Sequence, residues 1–224
     1  MNRIVFDIET LAYPLEHFDQ TQQEYLLKFA KTEEERLETI RRMSLNPFTA
    51  RIIAVGMLNP DSNQGKVLYD APKAEPWFSS DGLIEFVPCG EREILEKFWE
   101  TIQHYNQLIT FNGRSFDAPF LMLRSAILGL RPTRNILPYR YSGKEHCDLL
   151  DQLTFYGMTR KFNLDFYCKS FGFKSPKSDG ITGLDLGELF SAGRFQEIAE
   201  YCLGDVRATA ELYEKWQGLL SFEH

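Results

Sequence analysis

Two acidic side chains stand two positions apart near the start of the chain, in the segment Phe6-Asp7-Ile8-Glu9-Thr10. If this segment is a β-strand, Asp7 and Glu9 leave the same face, because side chains alternate along a strand. Two carboxylates on one face of an otherwise apolar strand repel each other and are costly to remove from water. A hard divalent cation such as Mg²⁺ offsets both costs, since it prefers carboxylate oxygens. A strand end that reaches solvent explains the pair equally well.

Asp117 ends a second polar pattern, NGRSFD, which begins at Asn112. We expect a buried strand before this pattern and a helix after it. An N-cap role explains Asp117 as well as a metal-binding role does, and Pro119 is typical of the first turn of a helix. Asn112 is consistent with a turn residue, and Phe116 with a core residue.

The third pattern is YCLGD, from Tyr201 to Asp205. These two residues lie four apart in a predicted helix and therefore share one helix face. Taken alone, the pattern is also consistent with a solvent-facing Asp beside a half-buried Tyr.

Hydrophobic periodicity predicts the elements that position these side chains. Strands are predicted at 2–9, 51–58, 66–69 and 107–111, and helices at 32–43, 91–105, 118–128, 148–156, 163–171 and 195–219. Residues 71–82 are predicted to be surface loop. The order of strands and helices favours an α/β fold with a mixed sheet. We therefore predict one domain over residues 1–224, with an insertion of helical character at about 12–49.

Composition limits the classes of protein to consider. The chain has 224 residues, 43% of them hydrophobic, which is enough for a core and argues against a disordered protein. The four cysteines are scattered without C-x-x-C pairs, so we expect neither a disulfide framework nor a zinc knuckle, and a cytoplasmic location. No apolar run reaches the roughly 20 residues that span a bilayer, and we expect no membrane association.

The charge of the chain is unevenly distributed. The formal net charge is −7, which taken alone argues against a nucleic-acid partner. Residues 114–177, however, carry eleven basic and five acidic side chains. Such a stretch either faces a polyanion or is a solvated surface, and the charges alone do not decide between the two.

Together the three patterns resemble the motifs of the DEDD exonucleases, which have a ribonuclease H-like fold. FDIET matches the first motif with Asp7 and Glu9. NGRSFD matches the second with Asp117, and YCLGD matches the third with Asp205. Tyr201, four residues before Asp205, matches the tyrosine subclass. The spacing is most similar to stand-alone bacterial proteins related to the proofreading domain of family B DNA polymerases. The implied fold is α/β, with a mixed five- to six-stranded sheet flanked by helices.

The resemblance implies a catalytic site that binds two Mg²⁺ or Mn²⁺ ions. The metal ligands would be the four carboxylates of Asp7, Glu9, Asp117 and Asp205. Asp7 would bridge both ions, and Tyr201 would orient the attacking water. In this class of enzyme, water attacks the last phosphodiester at a 3′ end and releases a nucleoside 5′-monophosphate. Two ions activate the water and stabilise the leaving oxygen.

On the same grounds, four residues are candidates for substrate binding: Thr10, Leu11, Asn112 and Phe116. The expected partner is a single-stranded nucleic acid with a free 3′ end, with DNA favoured. Some basic side chains of the stretch 114–177 would then contact phosphates. RNA trimming is an alternative, because no motif here reads the ribose 2′-hydroxyl. A non-catalytic nucleic-acid-binding protein that kept the fold is a second alternative.

Overall fold

A seven-stranded mixed sheet, flanked by helices, forms the centre of the computed structural model, which describes residues 2–174, 182–183 and 185–221. The strands are β1 (Arg3–Ala12), β2 (Ala50–Leu58), β3 (Gly65–Asp70), β4 (Trp77–Phe78), β5 (Ile84–Cys89), β6 (Gln107–Thr110) and β7 (His146–Asp148). The helices are α1 (Gln20–Leu26), α2 (Glu33–Arg42), α3 (Glu91–Ile102), α4 (Asp117–Ile127), α5 (Leu149–Leu153), α6 (Leu164–Ser170), α7 (Leu186–Ser191) and α8 (Phe195–Leu219).

The strand order is β4-β5-β3-β2-β1-β6-β7, with β2 and β4 antiparallel to their neighbours in the sheet. β1 pairs with β2 from Val5 to Ala12, but its pairing with β6 covers only Arg3 to Val5. The second half of β1 therefore extends beyond the end of β6. This arrangement leaves space beside Asp7 and Glu9 at the point where the sheet has one neighbour strand fewer.

The α/β class with a mixed sheet is confirmed, but the expected number of strands, five or six, is wrong. β4 lies inside the predicted surface loop 71–82 and has two residues, and β7 has three. Strands this short give no period-two signal. β5 contains Pro88, which lacks an N–H for the sheet and lowers a strand prediction.

The long helix α8 covers one face of the sheet and packs on β1, β2 and β3. Gly56 of β2 makes this close packing possible. A Cβ at this position would lie 2.7 Å from Cγ2 of Val206 and 3.1 Å from Sγ of Cys202. The absence of a side chain on β2 thus sets how near α8 comes to β1. The opposite face packs against α3 and α4, through residues that include Phe98 and Phe120.

The segment between β1 and β2 contains α1 and α2, and neither helix buries a residue. Two hydrogen bonds attach the segment to its flanking strands. The Thr10 hydroxyl donates to the Ser44 carbonyl at 2.7 Å, and the Tyr13 N–H donates to the Thr49 carbonyl at 2.9 Å. That this segment is an insertion in a single domain over residues 1–224 stays a prediction.

All four cysteines are buried free thiols. Among the described residues, no helix has both the length and the apolar character needed to cross a lipid bilayer.

Arg124 is an internal residue, although it belongs to the basic stretch 114–177. It is 3% exposed, and its guanidinium donates to both carboxylate oxygens of Glu91, at 2.8 and 2.7 Å. It also donates to the Tyr13 hydroxyl at 2.8 Å and to the Pro47 carbonyl at 3.2 Å. The ion pair therefore joins α3, α4 and both ends of the segment between β1 and β2.

Replacing Arg124 with Ala would leave the Glu91 carboxylate buried without its cation. We expect the free energy of unfolding, measured by urea denaturation, to fall by about 3 kcal/mol. Arg92→Ala is the matched control, because the Arg92–Glu96 pair is about half exposed on both sides. Its loss should cost about 0.5 kcal/mol or less. Equal losses in the two variants would contradict a structural role for Arg124.

Candidate active site

The second half of β1 carries the first two predicted site residues, on the face that α8 covers. Asp7 is half-buried and Glu9 is 7% exposed. The register with β2 shifts between Glu9 and Thr10, because Glu9 pairs with Ala54 and Thr10 with Ile52. Such β-bulges are frequent next to active sites, where they change the direction of a strand.

Helix α8 brings three residues to the same place. The Sγ of Cys202 and carboxylate oxygens of Asp7 and Glu9 all lie within 4.8 Å of one another. The Cys202 thiol donates to the Asp7 carbonyl at 3.7 Å, which ties the helix to the strand. Tyr201 and Asp205 line the same cleft as Asp7, and the two side chains hydrogen-bond to each other. The predicted sharing of a helix face by Tyr201 and Asp205 thus agrees with the structure.

Asp117 approaches β1 from α4. It is the first helical residue and not the N-cap, which is Phe116. Its Oδ1 accepts a hydrogen bond from the backbone N–H of Ile8 at 3.0 Å, and the residue is 3% exposed. This bond holds the carboxylate against β1 at the residue between Asp7 and Glu9. The carboxylate therefore does not serve as an ordinary helix cap.

The turn that delivers Asp117 is fixed by a buried carboxylate. Asp148, 2% exposed, accepts hydrogen bonds from the backbone N–H groups of Asn112 and Arg114, both at 2.9 Å. Asn112 has a φ of 63°, in the left-handed region. A Cβ at Gly113 would lie 2.5 Å from the Thr110 side chain, so this position requires glycine.

The clustered carboxylates oppose one another's ionisation. Burial raises the pKa of Asp7 well above its usual range, and the carboxylates of Asp117, Asp205 and Glu9 raise it further. Burial also raises the pKa of Asp117 to about 7, with a smaller contribution from Asp148 and Asp205. The metal-free cluster is therefore under electrostatic stress at neutral pH.

The donor set fits a hard divalent cation. Carboxylate oxygens are the ligands that Mg²⁺ and Mn²⁺ prefer, and a cation would offset the repulsion within the cluster. The Cys202 thiol is close enough to be a ligand, but burial and the carboxylates of Glu9 and Asp7 raise its pKa well above the usual value. A thiol that stays protonated is not a metal ligand. We therefore assign the metal-binding capacity to the carboxylates.

A cleft of about 370 Å³ opens beside the cluster. It is lined by Asp7, Phe111, Asn112, Leu150, Phe162, Asn163, Leu164, Asp165, Tyr201 and Asp205. The cleft therefore joins the acidic residues to apolar walls, and its volume is in the range of small-ligand sites, ~300–1,000 Å³.

Of the four residues predicted to bind substrate, Asn112 lines this cleft. The other three are not among its described lining residues. Thr10 is engaged with the Ser44 carbonyl, Leu11 packs against the core under α8, and the Phe116 ring packs on Phe120 at 5.5 Å.

Sequence reasoning missed the wall formed by residues 162–165. Asn163 gave a visible signal, because Asn is a preferred N-cap, and its side chain accepts a hydrogen bond from the Phe166 N–H at 2.9 Å. Asp165 is in the first turn of α6 and pairs with Lys169 at 2.9 Å. That this helix start faces Asp7 depends on the packing of α6 against α8, which no local pattern reports.

Part of the basic stretch 114–177 is also used internally. Arg134 donates to the Tyr105 carbonyl at 2.6 Å, just beyond the end of α3. Arg140 forms a two-point ion pair with the buried Asp151, at 2.6 and 3.2 Å. Residues 175–177, at the end of the stretch, lie outside the described residues.

The fold is that of a polymerase-associated, ribonuclease H-like exonuclease domain. The chain is similar in structure to a family B DNA polymerase from the hyperthermophilic archaeon Pyrobaculum calidifontis, with a TM-score of 0.63 and 18% sequence identity. The match covers 96% of this chain and 24% of the polymerase. At this identity the likeness is one of fold.

Sequence comparison identifies the family. The model of a family described as "Predicted 3'-5' exonuclease related to the exonuclease domain of PolB" matches residues 50–221, and the chain belongs to this family.

Two curated relatives are DNA polymerases. The chain is 25% identical over 168 residues to DNA polymerase 1 of Saccharolobus solfataricus, covering 68% of this chain and 17% of the polymerase. It is 28% identical over 158 residues to the catalytic polypeptide of DNA polymerase epsilon from Emericella nidulans, covering 63% of this chain and 7% of the polymerase. The chain thus spans only a small part of either relative's length.

The raised pKa of Asp117 predicts a measurable pH dependence. In the metal-free fold this carboxyl favours its proton, so its contribution to stability is present below about pH 4 and is lost as the pH rises towards 7. Asp117→Asn keeps an acceptor for the Ile8 N–H and removes the charge. In EDTA, its Tm should exceed that of the wild type by a margin that grows to a few °C between about pH 4 and 7.

Glu75→Gln is the control for this comparison, because Glu75 is an exposed carboxylate. Its Tm difference from the wild type should not change with pH. A margin for Asp117→Asn that stays constant or shrinks as the pH rises would show that Asp117 is not held in a charge-opposing environment.

Proposed function

We propose that the protein is a metal-dependent 3′→5′ exonuclease that removes nucleoside 5′-monophosphates from single-stranded DNA. The observation that carries this proposal is the convergence of carboxylates from β1, α4 and α8 on one cleft. Membership in a family of predicted exonucleases supports the reaction class. The two DNA polymerase relatives support DNA as the substrate.

Asp7, Glu9, Asp117 and Asp205 would hold two divalent cations. Bound there, Mg²⁺ or Mn²⁺ ions supply a water nucleophile at neutral pH and stabilise charge on the leaving 3′-oxygen. The protein's own part is to keep these side chains in place although they repel one another. The Ile8 N–H does so for Asp117, and the link from Cys202 to the Asp7 carbonyl does so for the strand.

Tyr201 acts in this proposal as a hydrogen-bonding group and not as a base. Burial raises the pKa of its hydroxyl above the usual value, and the carboxylates of Glu9, Asp205 and Asp7 raise it further. The hydroxyl therefore keeps its proton and donates it to the Asp205 carboxylate in a hydrogen bond. The phenol oxygen still has lone pairs that can accept a hydrogen bond from the attacking water and orient it.

The cleft is suited to one terminal nucleotide. Phe111, Leu150 and Phe162 offer apolar surface for a base, and the acidic cluster lies on the same cleft, where a terminal phosphate would be cut. Asn112 adds an amide that can hydrogen-bond to a base or sugar.

The reaction is tested with 5′-labelled single-stranded DNA and RNA of the same sequence, incubated with Mg²⁺ or Mn²⁺. We expect a ladder that shortens by one nucleotide at a time from the 3′ end, faster on DNA. Asp7→Asn should lower the rate more than about 100-fold, because a ligand shared by the cluster is lost. Glu75→Gln should leave the rate unchanged.

Faster shortening of RNA would reassign the substrate to RNA ends. Binding of either strand without shortening under any metal would indicate a nucleic-acid-binding protein that lacks this activity.

Tyr201→Phe separates water orientation from metal binding. We expect the single-turnover rate to fall by about tenfold to a hundredfold, because the nucleophile loses its orientation. The increase in Tm on adding Mn²⁺ should be preserved, since Tyr201 is not one of the proposed ligands. A wild-type rate in this variant would remove the proposed role of the hydroxyl.

A further inference from the structure

An exposed group of aromatic rings lies at the end of α5, beyond the cleft. The tyrosine cluster consists of Tyr139, Tyr141 and Tyr156, whose rings follow one another at centroid distances of 5.7 and 4.9 Å. Tyr139 is 73% exposed and Tyr141 is 61% exposed. Large aromatic rings normally bury most of their surface, so exposed rings in contact with one another are unusual.

The cluster is anchored to the same short helix that lines the cleft. The amide of Gln152 in α5 donates to the Tyr156 hydroxyl at 2.9 Å. At the other end of this helix, Leu150 is part of the cleft wall. Because α5 has five residues and a helix rises about 1.5 Å per residue, the tyrosine cluster lies only a few nucleotides from the acidic cluster.

The turn after α5 holds aromatic residues in an unfavourable backbone conformation. Phe155 and Tyr156 have φ values of 50° and 59°, a region that bulky side chains rarely occupy. Backbone hydrogen bonds fix the turn, including Tyr156 N–H to the Asp151 carbonyl at 2.6 Å. The result is that Phe155 stays 56% exposed and the Tyr156 ring contacts Tyr141.

A second aromatic group connects this turn to the cleft. The rim group consists of Arg160, Phe162 and Phe166. The Phe162 ring, which lines the cleft, stacks on Phe166 at 4.1 Å, and the Arg160 guanidinium lies 5.0 Å from the centre of the Phe162 ring. Phe166 is 48% exposed, and Arg160 is exposed as well.

The charge around these rings is positive. Exposed cations of the same segment are Arg140, Arg160 and Lys161. The acidic residues Asp148 and Asp151, by contrast, are buried, and Asp151 is paired with Arg140. Exposed cations interleaved with stackable rings are the combination that binds single-stranded nucleic acid, with bases on the rings and phosphates near the cations.

We propose that the tyrosine cluster and the rim group form the path of the single strand that leads into the cleft. The Arg160–Phe162–Phe166 group would contact the nucleotides next to the 3′ end, and Tyr139 and Tyr141 would stack on bases further upstream. This proposal rests on the proposed function for the location of the 3′ end. The path extends outside the cleft, so its occupancy depends on the length of the strand.

The test measures binding without turnover, by fluorescence anisotropy of 5′-labelled oligo(dT) of twelve and of three nucleotides in EDTA. Tyr139→Ser/Tyr141→Ser should raise the Kd of the 12-mer about tenfold through the loss of base stacking, and leave that of the 3-mer unchanged. Tyr139→Phe/Tyr141→Phe keeps the rings and should bind the 12-mer like the wild type.

Tyr25→Ser/Phe29→Ser is the matched control, since these two aromatic residues are 76% and 82% exposed on and just after α1. It should bind both oligonucleotides like the wild type. Wild-type affinity of the Tyr139→Ser/Tyr141→Ser variant for the 12-mer would overturn the proposed path and leave a protein as the partner of this surface.

Hydrolysis of the p-nitrophenyl ester of thymidine 5′-monophosphate separates this proposal from the proposed function. This small ester reaches only the cleft, so all the surface variants should hydrolyse it at the wild-type rate. A wild-type protein that hydrolyses neither the ester nor DNA would refute the nuclease activity. The anisotropy result would still decide the strand path.

Discussion

Repulsion among the carboxylates at the second half of β1 is the constraint on which the site depends. Asp7 and Glu9 are held on one face of a central strand, where Asp117 and Asp205 add two more negative charges. The raised pKa of Asp7 reflects the cost of burying such a group among three others. A fold that kept this arrangement for stability alone would gain by replacing any of the four. The arrangement is therefore best explained by a bound cation.

The surrounding structure holds these charges in place through neutral contacts. The Asp117 carboxylate accepts the Ile8 N–H, and Asp148 fixes the backbone of the turn that precedes it. On the opposite side, Gly56 lets α8 approach, so that Cys202 reaches the Asp7 carbonyl. The contacts to Asp7 and Asp117 use backbone groups and a protonated thiol. They do not neutralise the cluster, and the negative charge remains available for a cation.

The sequence predicts the long elements and the chemistry of the site better than the connections between them. The strand at 51–58 and the helix at 195–219 agree with the structure nearly residue for residue, because each has a long apolar pattern. β4 and β7 escape prediction because two or three residues have no periodicity. The cleft wall at 162–165 escapes it because its position depends on how α6 packs on α8. Side-chain spacing reports neighbours within an element, but not between elements.

The basic stretch 114–177 shows why a count of charges is a poor guide to a binding surface. Arg124 and Arg134 are used to join elements, so they add to the count without offering charge to a ligand. Arg160 and Lys161 contribute no more to the count, yet they are exposed beside aromatic rings near the cleft. The net charge of −7 likewise includes the acidic cluster, whose sign a bound cation would reverse locally. Attraction of a phosphate backbone therefore depends on a few exposed cations beside the cleft, and an acidic protein can bind nucleic acid there.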